Sequence, residues 1–179
     1  MILPKVEIKK ILFATDLSES ARYAFAYAVS LANLYGAGIT FLHALAETPE
    51  SLDKGVIGYI GSDRWEEIKK QHYQEAKETL TGKKRDYVPI REVLDQFCED
   101  TKSSHEEYDF VTDEILVTRG NAVEEILEQA EKRNCDLIVM GTHGHGILEE
   151  AILGSTARRV IRRSKKPVLV VRLPEEEIE

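Results

Sequence analysis

The stretch 140–156, MGTHGHGILEEAILGST, concentrates the residue types that could do chemistry in this chain. Gly141 and Gly144 follow an apolar run, and Gly154 stands directly before Ser155-Thr156. Glycine has no Cβ, so the backbone beside it can approach a ligand closely. A helix that follows Ser155-Thr156 would add unpaired N–H donors and the positive end of its dipole. The spacing therefore predicts a phosphate-binding cradle.

Other interpretations of this stretch stay open. Glycines after a strand often only mark a turn, and a hydroxyl residue before a helix is often an N-cap. The stretch has neither the Lys of a P-loop nor the spacing G-x-G-x-x-G. His143 and His145 suggest a metal, but no further His or Cys lies nearby in the sequence. We therefore expect no metal site here.

Composition limits the classes of function that remain. The chain has 179 residues, 42% hydrophobic and 31% charged, which predicts one globular domain over 1–179. Its net charge of −8 makes nucleic acid an unlikely partner, so we interpret the basic run 158–166 as a solvated helix face. Cys98 and Cys135 are too few for a disulfide or metal framework and are expected to be reduced. No apolar run is long enough to span a membrane, and a cytoplasmic location is expected.

Five apolar runs alternate with amphipathic segments and predict parallel strands joined by helices, at Ile11–Ala14, Ile39–Leu42, Glu114–Thr118, Leu137–Met140 and Val168–Val171. Such alternation is typical of a doubly wound α/β sheet. Ligands of these sheets bind beyond the carboxyl ends of the strands. Asp16 follows the first strand and Gly141 the fourth, so both are expected at the binding edge.

Capping signals place the helices between these strands. Ser18 is a good N-cap for a helix over 19–35 that Gly36 ends. Asn121 with Glu124 resembles a capping box, and the last helix is expected from Ala157. The segment at about 83–113 is expected to be an added helical element that extends the second crossover, and deletion of 82–107 with a short linker is expected to leave ligand binding largely intact.

Four stretches together resemble the universal stress protein family: KKILFATDLSES, ITFLHAL, TRGNAVEEIL and the end of the chain from DLIVMGTHGHG to GSTARRVIRRSKKPVLVV. The family's nucleotide-binding spacing G-2x-G-9x-G-S/T matches Gly141, Gly144, Gly154 and Ser155. The resemblance covers almost the whole chain except about 83–113, for which no counterpart can be assigned.

The resemblance implies a flavodoxin-like, Rossmann-like sheet of order 3-2-1-4-5, with ATP (or AMP or ADP, with or without Mg²⁺) at the switch point between strands one and four. It places the adenosine against Ala14, Thr15 and Asp16, and the adenine against Ala44 and Met140. It assigns ribose and phosphates to Gly141, His143, Gly144, Gly154, Ser155 and Thr156. It also implies a homodimer joined through strand five, that is through Val168, Leu169, Val170 and Val171.

Two departures from the family pattern bear on the phosphates. His145-Gly146 stands where many members place a basic residue and another glycine. Thr156-Ala157 replaces a frequent Val-Ser or Val-Thr. The sequence shows no catalytic residue and no base that would position water, which favours a nucleotide-binding regulatory stress-response module. A slow ATPase or nucleotidyl transferase, and a member that has lost nucleotide binding, remain the alternatives.

Overall fold

The computed structural model describes residues 3, 5–45, 56–68, 70, 88–104, 110–144 and 153–174. These residues form β1 (Lys10–Ala14), α1 (Glu19–Tyr35), β2 (Gly38–Leu45), α2 (Val88–Ser104), β3 (Val111–Arg119), α3 (Ala122–Lys132), β4 (Leu137–Gly141), α4 (Ser155–Arg163) and β5 (Val168–Val171). Residues 56–60 and 62–68 are helical as well. None of the helices described here is long and apolar enough to cross a bilayer.

All five strands are parallel and lie in the order β3-β2-β1-β4-β5, which confirms the predicted topology. β1 is the central strand, and its last residue Ala14 pairs with Leu42 of β2 and with Met140 of β4. From β1 the chain builds the sheet outward on one side through β2 and β3, and then crosses to the other side of β1 to form β4 and β5. The loops after β1 and β4 therefore leave the sheet in opposite directions. A crevice opens between them at the carboxyl edge.

Alternation along the strands divides the core into two layers. On one face Phe13, Phe41 and Phe25 of α1 pack with ring centroids 5.0–5.4 Å apart. On the other face Leu12 and Ile138 pack with apolar residues of α3 and α4. Both faces are therefore covered, which explains why the strands are continuous apolar runs. The crevice lies on the α3–α4 side.

The ends of α1 follow the predicted signals. The Ser18 hydroxyl accepts the N–H of Ala21 at 3.2 Å, and Gly36 ends the helix in the left-handed region at φ 64°. Asn121 caps α3 by accepting the N–H groups of Val123 and Glu124. The carboxylate of Glu124 accepts two hydrogen bonds from Arg163, which ties α3 to α4.

α4 begins two residues earlier than the sequence predicted. Its N-cap is Gly154, and Ser155 is already the first helical residue, whereas Ala157 was the expected start. The prediction relied on the helical spacing of apolar residues. Ser155 and Thr156, which open the helix, are not apolar, so the predicted start fell at Ala157. Ser155 and Thr156 therefore lie inside the first turn and contribute their backbone N–H groups there.

α2 makes the crossover between β2 and β3, and its inner face is part of the core. Ile90, Val93, Leu94 and Phe97 are all at most 7% exposed, and the Phe97 ring lies 5.0 Å from that of Phe25. The expectation that 82–107 can be deleted conflicts with this burial, and residues 111–113 of the predicted insertion belong to β3. Residues 83–87 and 105–109 lie outside the described residues. That the segment is atypical of the family stays a prediction.

Candidate functional site

A cleft of about 390 Å³ opens at the carboxyl edge of β1 and β4. It is lined by every residue that the sequence assigned to a site: Ala14, Thr15, Asp16, Ala44, Met140, Gly141, His143, Gly144, Gly154, Ser155 and Thr156. Residues that sequence reasoning missed also line it: Ala21, Leu42, His43, Ala122, Ile126, Thr142 and Ala157. The predicted residues are therefore brought together in one place.

The floor of the cleft is apolar. Ala14, Leu42 and Met140 lie side by side on three neighbouring strands, on the face that carries α3 and α4, and all three are at most 8% exposed. Ala44 continues the β2 row two residues further, because side chains alternate along a strand. Ile126 of α3 closes the opposite side. Small and flat apolar surfaces of this kind suit the face of a planar ring.

Asp16 lies in a tight turn between β1 and α1 that its neighbours hold in place. The Thr15 N–H donates to the carbonyl of Leu42 at 2.9 Å, and the Thr15 hydroxyl accepts the N–H of Leu17 at 3.0 Å. Leu17 adopts φ 64°, a conformation that non-glycine residues rarely occupy. The Asp16 carboxylate accepts the N–H of Ser18 at 3.0 Å. This hydrogen bond orients the carboxylate before any ligand arrives.

His43 supports the same turn from β2. The side chain is buried, and its Nδ1 lies 2.8 Å from the carbonyl oxygen of Thr15. A carbonyl only accepts, so Nδ1 carries the proton and donates. The signal in the sequence was a single ionisable residue inside the apolar run ITFLHAL, but only the fold shows that it faces Thr15. His43 is thus a further residue that holds the wall of the cleft.

The loop after β4 is tied to the start of α1. The Ser18 hydroxyl donates to the carbonyl of His143 at 3.3 Å, and the N–H of His143 donates to the Ser20 hydroxyl at 3.5 Å. The His143 Nδ1 lies 3.0 Å from the buried hydroxyl of Thr142. These contacts join the two loops that form the sides of the crevice. Both the backbone of His143, through Ser18 and Ser20, and its ring, through Thr142, hold this residue beside the cleft.

Three glycines allow segments of the chain to lie close together. A Cβ on Gly141 would stand 2.5 Å from the Ser20 hydroxyl and 2.9 Å from the backbone nitrogen of Ala21. A Cβ on Gly154 would stand 2.7 Å from the carbonyl oxygen of Thr142. A Cβ on Gly144 would collide with the Asp16 carboxylate. The sequence attributed these glycines to close approach of a ligand, whereas each has a neighbour within the protein.

The first turn of α4 offers backbone donors to the cleft. The N–H of Gly154 donates to the carbonyl of Thr142 at 2.8 Å. The first hydrogen bond within the helix runs from the N–H of Arg158 to the carbonyl of Gly154 at 3.0 Å. The N–H groups of Ser155, Thr156 and Ala157 precede that bond, so the helix itself supplies them no acceptor. Gly154 provides no side-chain cap. Three donors and the positive end of the α4 dipole are therefore available to an anion.

The described lining residues include three ionisable side chains, Asp16, His43 and His143. Within the described part of the chain, no three side chains of the metal-binding types His, Cys, Asp and Glu come together. What the arrangement can do is bind: it combines an apolar floor, one oriented carboxylate and a set of N–H donors. Hydroxyl donors, a planar ring and an anionic group are the complementary chemistry.

Comparison with known proteins shows that this chain is similar to universal stress proteins. The model of the "Universal stress protein family" matches residues 7–172. Two proteins of Methanocaldococcus jannaschii are each 32% identical: Universal stress protein MJ0577, over 93% of this chain and 96% of that protein, and Universal stress protein MJ0531, over 94% and 85%. The solved structure of MJ0577 superposes with a TM-score of 0.62, at 29% identity, over 96% of this chain and 100% of that one.

More distant structures share the fold. A universal stress protein in complex with cAMP has a TM-score of 0.58 at 21% identity, covering 93% of this chain and 98% of that one. The universal stress protein from Archaeoglobus fulgidus in complex with dAMP has a TM-score of 0.54 at 20% identity, covering 93% and 99%. With a family match over nearly all of its length and a close relative of equal extent, the chain belongs to the universal stress protein family.

Proposed function

We propose that this chain binds an adenine nucleotide in the cleft and acts as a nucleotide-binding regulatory protein of the stress response. One observation carries the proposal: the Asp16 carboxylate, the N–H groups of the first turn of α4 and an apolar floor all line the same cleft. A nucleotide has the three matching parts: a planar base, a ribose with hydroxyl donors and an anionic phosphate. The cleft volume of about 390 Å³ falls within the usual range for small-molecule sites.

Each part of the nucleotide has a partner in this arrangement. The adenine ring lies on Ala14, Ala44 and Met140, where it buries apolar surface. A ribose hydroxyl donates to Asp16, which is already oriented by the N–H of Ser18. The phosphates accept from the N–H groups of Ser155 and its two successors. Complexes of other family members with cAMP and dAMP support the choice of adenine.

We propose ATP as the physiological ligand and at most slow turnover. The ionisable residues among the described lining already have partners in the protein: Asp16 holds Ser18, His43 holds Thr15, and His143 contacts Thr142. A general base must be within hydrogen-bond reach of the water or hydroxyl it activates. Residues that hold the walls of the cleft are poorly placed to move toward an attacking water. Binding, and a change that binding produces, are therefore the proposed output.

Titration calorimetry and thermal shift with ATP, AMP and GTP, each with and without Mg²⁺, test this function. We expect heat of binding and a raised melting temperature with the adenine nucleotides, because a ligand that binds only the folded state stabilises it. GTP is expected to bind less well, since Ala44 and Met140 offer no side-chain partner for the polar groups of guanine. No heat and no thermal shift at millimolar ligand would contradict the proposal. Turnover of several per second would replace it by the enzyme alternative.

We further propose that the protein is a homodimer joined through β5, the edge strand next to β4. Ile138 and Thr142 donate backbone hydrogen bonds to the carbonyls of Pro167 and Val171 at 3.0 Å. The alternate residue Val170 therefore directs its N–H and carbonyl outward, away from β4. An apolar edge with free backbone groups favours pairing with the same strand of a second copy.

Light scattering of the wild type is expected to give about twice the chain mass of 20.3 kDa. Val170→Pro is expected to give the mass of one chain, because proline removes the outward N–H without touching the bonds to β4. Val170→Thr keeps the backbone donor and the branched side chain, and should remain a dimer. A wild-type protein that stays monomeric at micromolar concentration would refute the dimer, and a dimeric Val170→Pro variant would move the interface elsewhere.

A further inference from the structure

The outer side of α4 is formed by arginines. Arg158, Arg159, Arg162 and Arg163, here called the arginine face, are all exposed, whereas Ala157 and Val160 of the same helix are buried. Four cations therefore lie within the nine residues of the helix that borders the cleft. In a chain of net charge −8 this is a local reversal of the overall charge.

Only one member of the arginine face has a carboxylate partner within the described structure. Arg163 makes two hydrogen bonds to Glu124 of α3, at 2.6 and 2.9 Å. Arg158, Arg159 and Arg162 take part in no ion pair with any described residue. Among the described residues, therefore, no carboxylate neutralises these three charges, although acidic residues outnumber basic ones by 32 to 24 in the sequence.

The arrangement does not favour the helix that carries it. The first turn of α4 contains no acidic residue, and Arg158 and Arg159 place two cations at the positive end of the dipole. Arg158 also lies four residues before Arg162, and like charges at this spacing repel. A local arrangement that costs stability is typical of a functional position.

The direction of these side chains brings their charge to the cleft. Long side chains of a helix lean toward its N-terminus. The N-terminus of α4 is the wall of the cleft that carries the free N–H groups of Ser155 and Thr156. Arg158 and Arg159 come three and four residues after Ser155, so they lie on the same side of α4 as this cleft-lining residue, and Arg162 stands one turn behind Arg158. An anion that extends outward from those N–H groups would meet the arginines next.

We propose that Arg158 and Arg159 set the specificity of the cleft for phosphate number, so that nucleotides with a long phosphate chain bind more tightly than monophosphates. This rests on the proposed nucleotide site and assigns its specificity for phosphate number. The first phosphate binds the N–H groups of α4, and the further phosphates lie in the field of the two arginines. Guanidinium groups suit phosphate oxygens because they offer several donors in one plane.

The test compares ATP with AMP in calorimetry on the wild type, on Arg158→Gln/Arg159→Gln and on Lys165→Gln. Lys165 is exposed and follows the far end of α4, so its variant removes a cation without touching the mouth of the cleft. We expect the double variant to lower ATP affinity about five- to tenfold and AMP affinity less than about twofold, because only the added phosphates lie near the arginines. Lys165→Gln should leave both affinities within about twofold of the wild type, since its charge is screened at that distance. Thermal melts establish that the double variant is folded.

The outcomes separate this inference from the site itself. If the wild type binds neither nucleotide, the proposed site fails and the inference fails with it. If ATP and AMP bind with affinities that the double variant lowers equally, or not at all, the site stands and the inference is overturned. Binding of a single-stranded oligonucleotide that the double variant abolishes and that ATP does not displace would also overturn it, and would make the arginine face a nucleic-acid surface.

Discussion

Gly141→Ala is expected to lower the free energy of unfolding by about 2–4 kcal/mol, the upper part of the range for overpacking a close contact. The added Cβ would stand 2.8 Å from the carbonyl carbon of Ser20 and 2.9 Å from the nitrogen of Ala21. These are backbone atoms of the first turn of α1, so no side chain can rotate away to relieve the contact. α1 or the end of β4 must shift. Urea denaturation followed by circular dichroism measures the loss.

Gly58→Ala is the matched control for that variant. Gly58 lies in the helical residues 56–60, and a Cβ there would meet nothing within 4 Å. The same change of atoms should leave stability unchanged or raise it by up to about 1 kcal/mol, because alanine favours the helix over glycine. Equal stability of Gly141→Ala and the wild type would show that α1 does not lie as close to β4 as the structure places it.

The fold could be predicted from the sequence because its signals are local. Buried parallel strands are continuous apolar runs, and Ser18 and Gly36 mark the two ends of α1 to the residue. The strand order came from the family resemblance and is confirmed. The start of α4 was predicted two residues late, because residues at the beginning of a helix show no apolar period. The sequence indicated an apolar face on α2 at Ile90, Val93, Leu94 and Phe97, and the burial of these residues confirms it. That this face packs against α1 could not be predicted, because Phe25 is far from Phe97 in the chain.

That Asp16 and Gly141 line one cleft could be predicted because strand ends in a parallel sheet meet at one edge, and the other predicted lining residues came from the family resemblance. What the sequence could not provide is which atoms touch across that edge. His43 was missed because its partner, the carbonyl of Thr15, is 28 residues away in the chain. Ala122 and Ile126 enter the cleft only because α3 packs on the sheet at a particular angle. The same holds for the glycines. The sequence shows that a glycine has no Cβ, but only the structure shows whether a ligand or another part of the protein lies where the Cβ would be.

Gly144→Ala is expected to weaken adenine nucleotide binding by about 1–3 kcal/mol, the range for losing hydrogen bonds to a charged group. Its Cβ would collide with a carboxylate oxygen of Asp16, which is the far end of a flexible side chain and can rotate away. Gly144 is exposed and does not have a positive φ, so the loss of stability should stay within about 1.5 kcal/mol, the contribution of the Ser18–Asp16 hydrogen bond that the rotation breaks. Binding is lost because the displaced carboxylate no longer faces the ribose. The same substitution three residues earlier, at Gly141, should instead affect stability.

A double-mutant cycle with Asp16→Ala decides how Gly144 acts. Asp16→Ala alone should also cost about 1–3 kcal/mol of binding, because it removes the acceptor for the ribose hydroxyl. If Gly144→Ala acts by displacing that carboxylate, the double variant should bind almost as well as Asp16→Ala alone. The coupling energy between the two substitutions then equals nearly the whole loss of binding free energy that Gly144→Ala causes by itself. Additive losses would mean that the new Cβ meets the ligand directly, which is the explanation that the glycine spacing alone suggests. Calorimetry with ATP on the four proteins measures the cycle, and thermal melts on the same samples separate binding from folding.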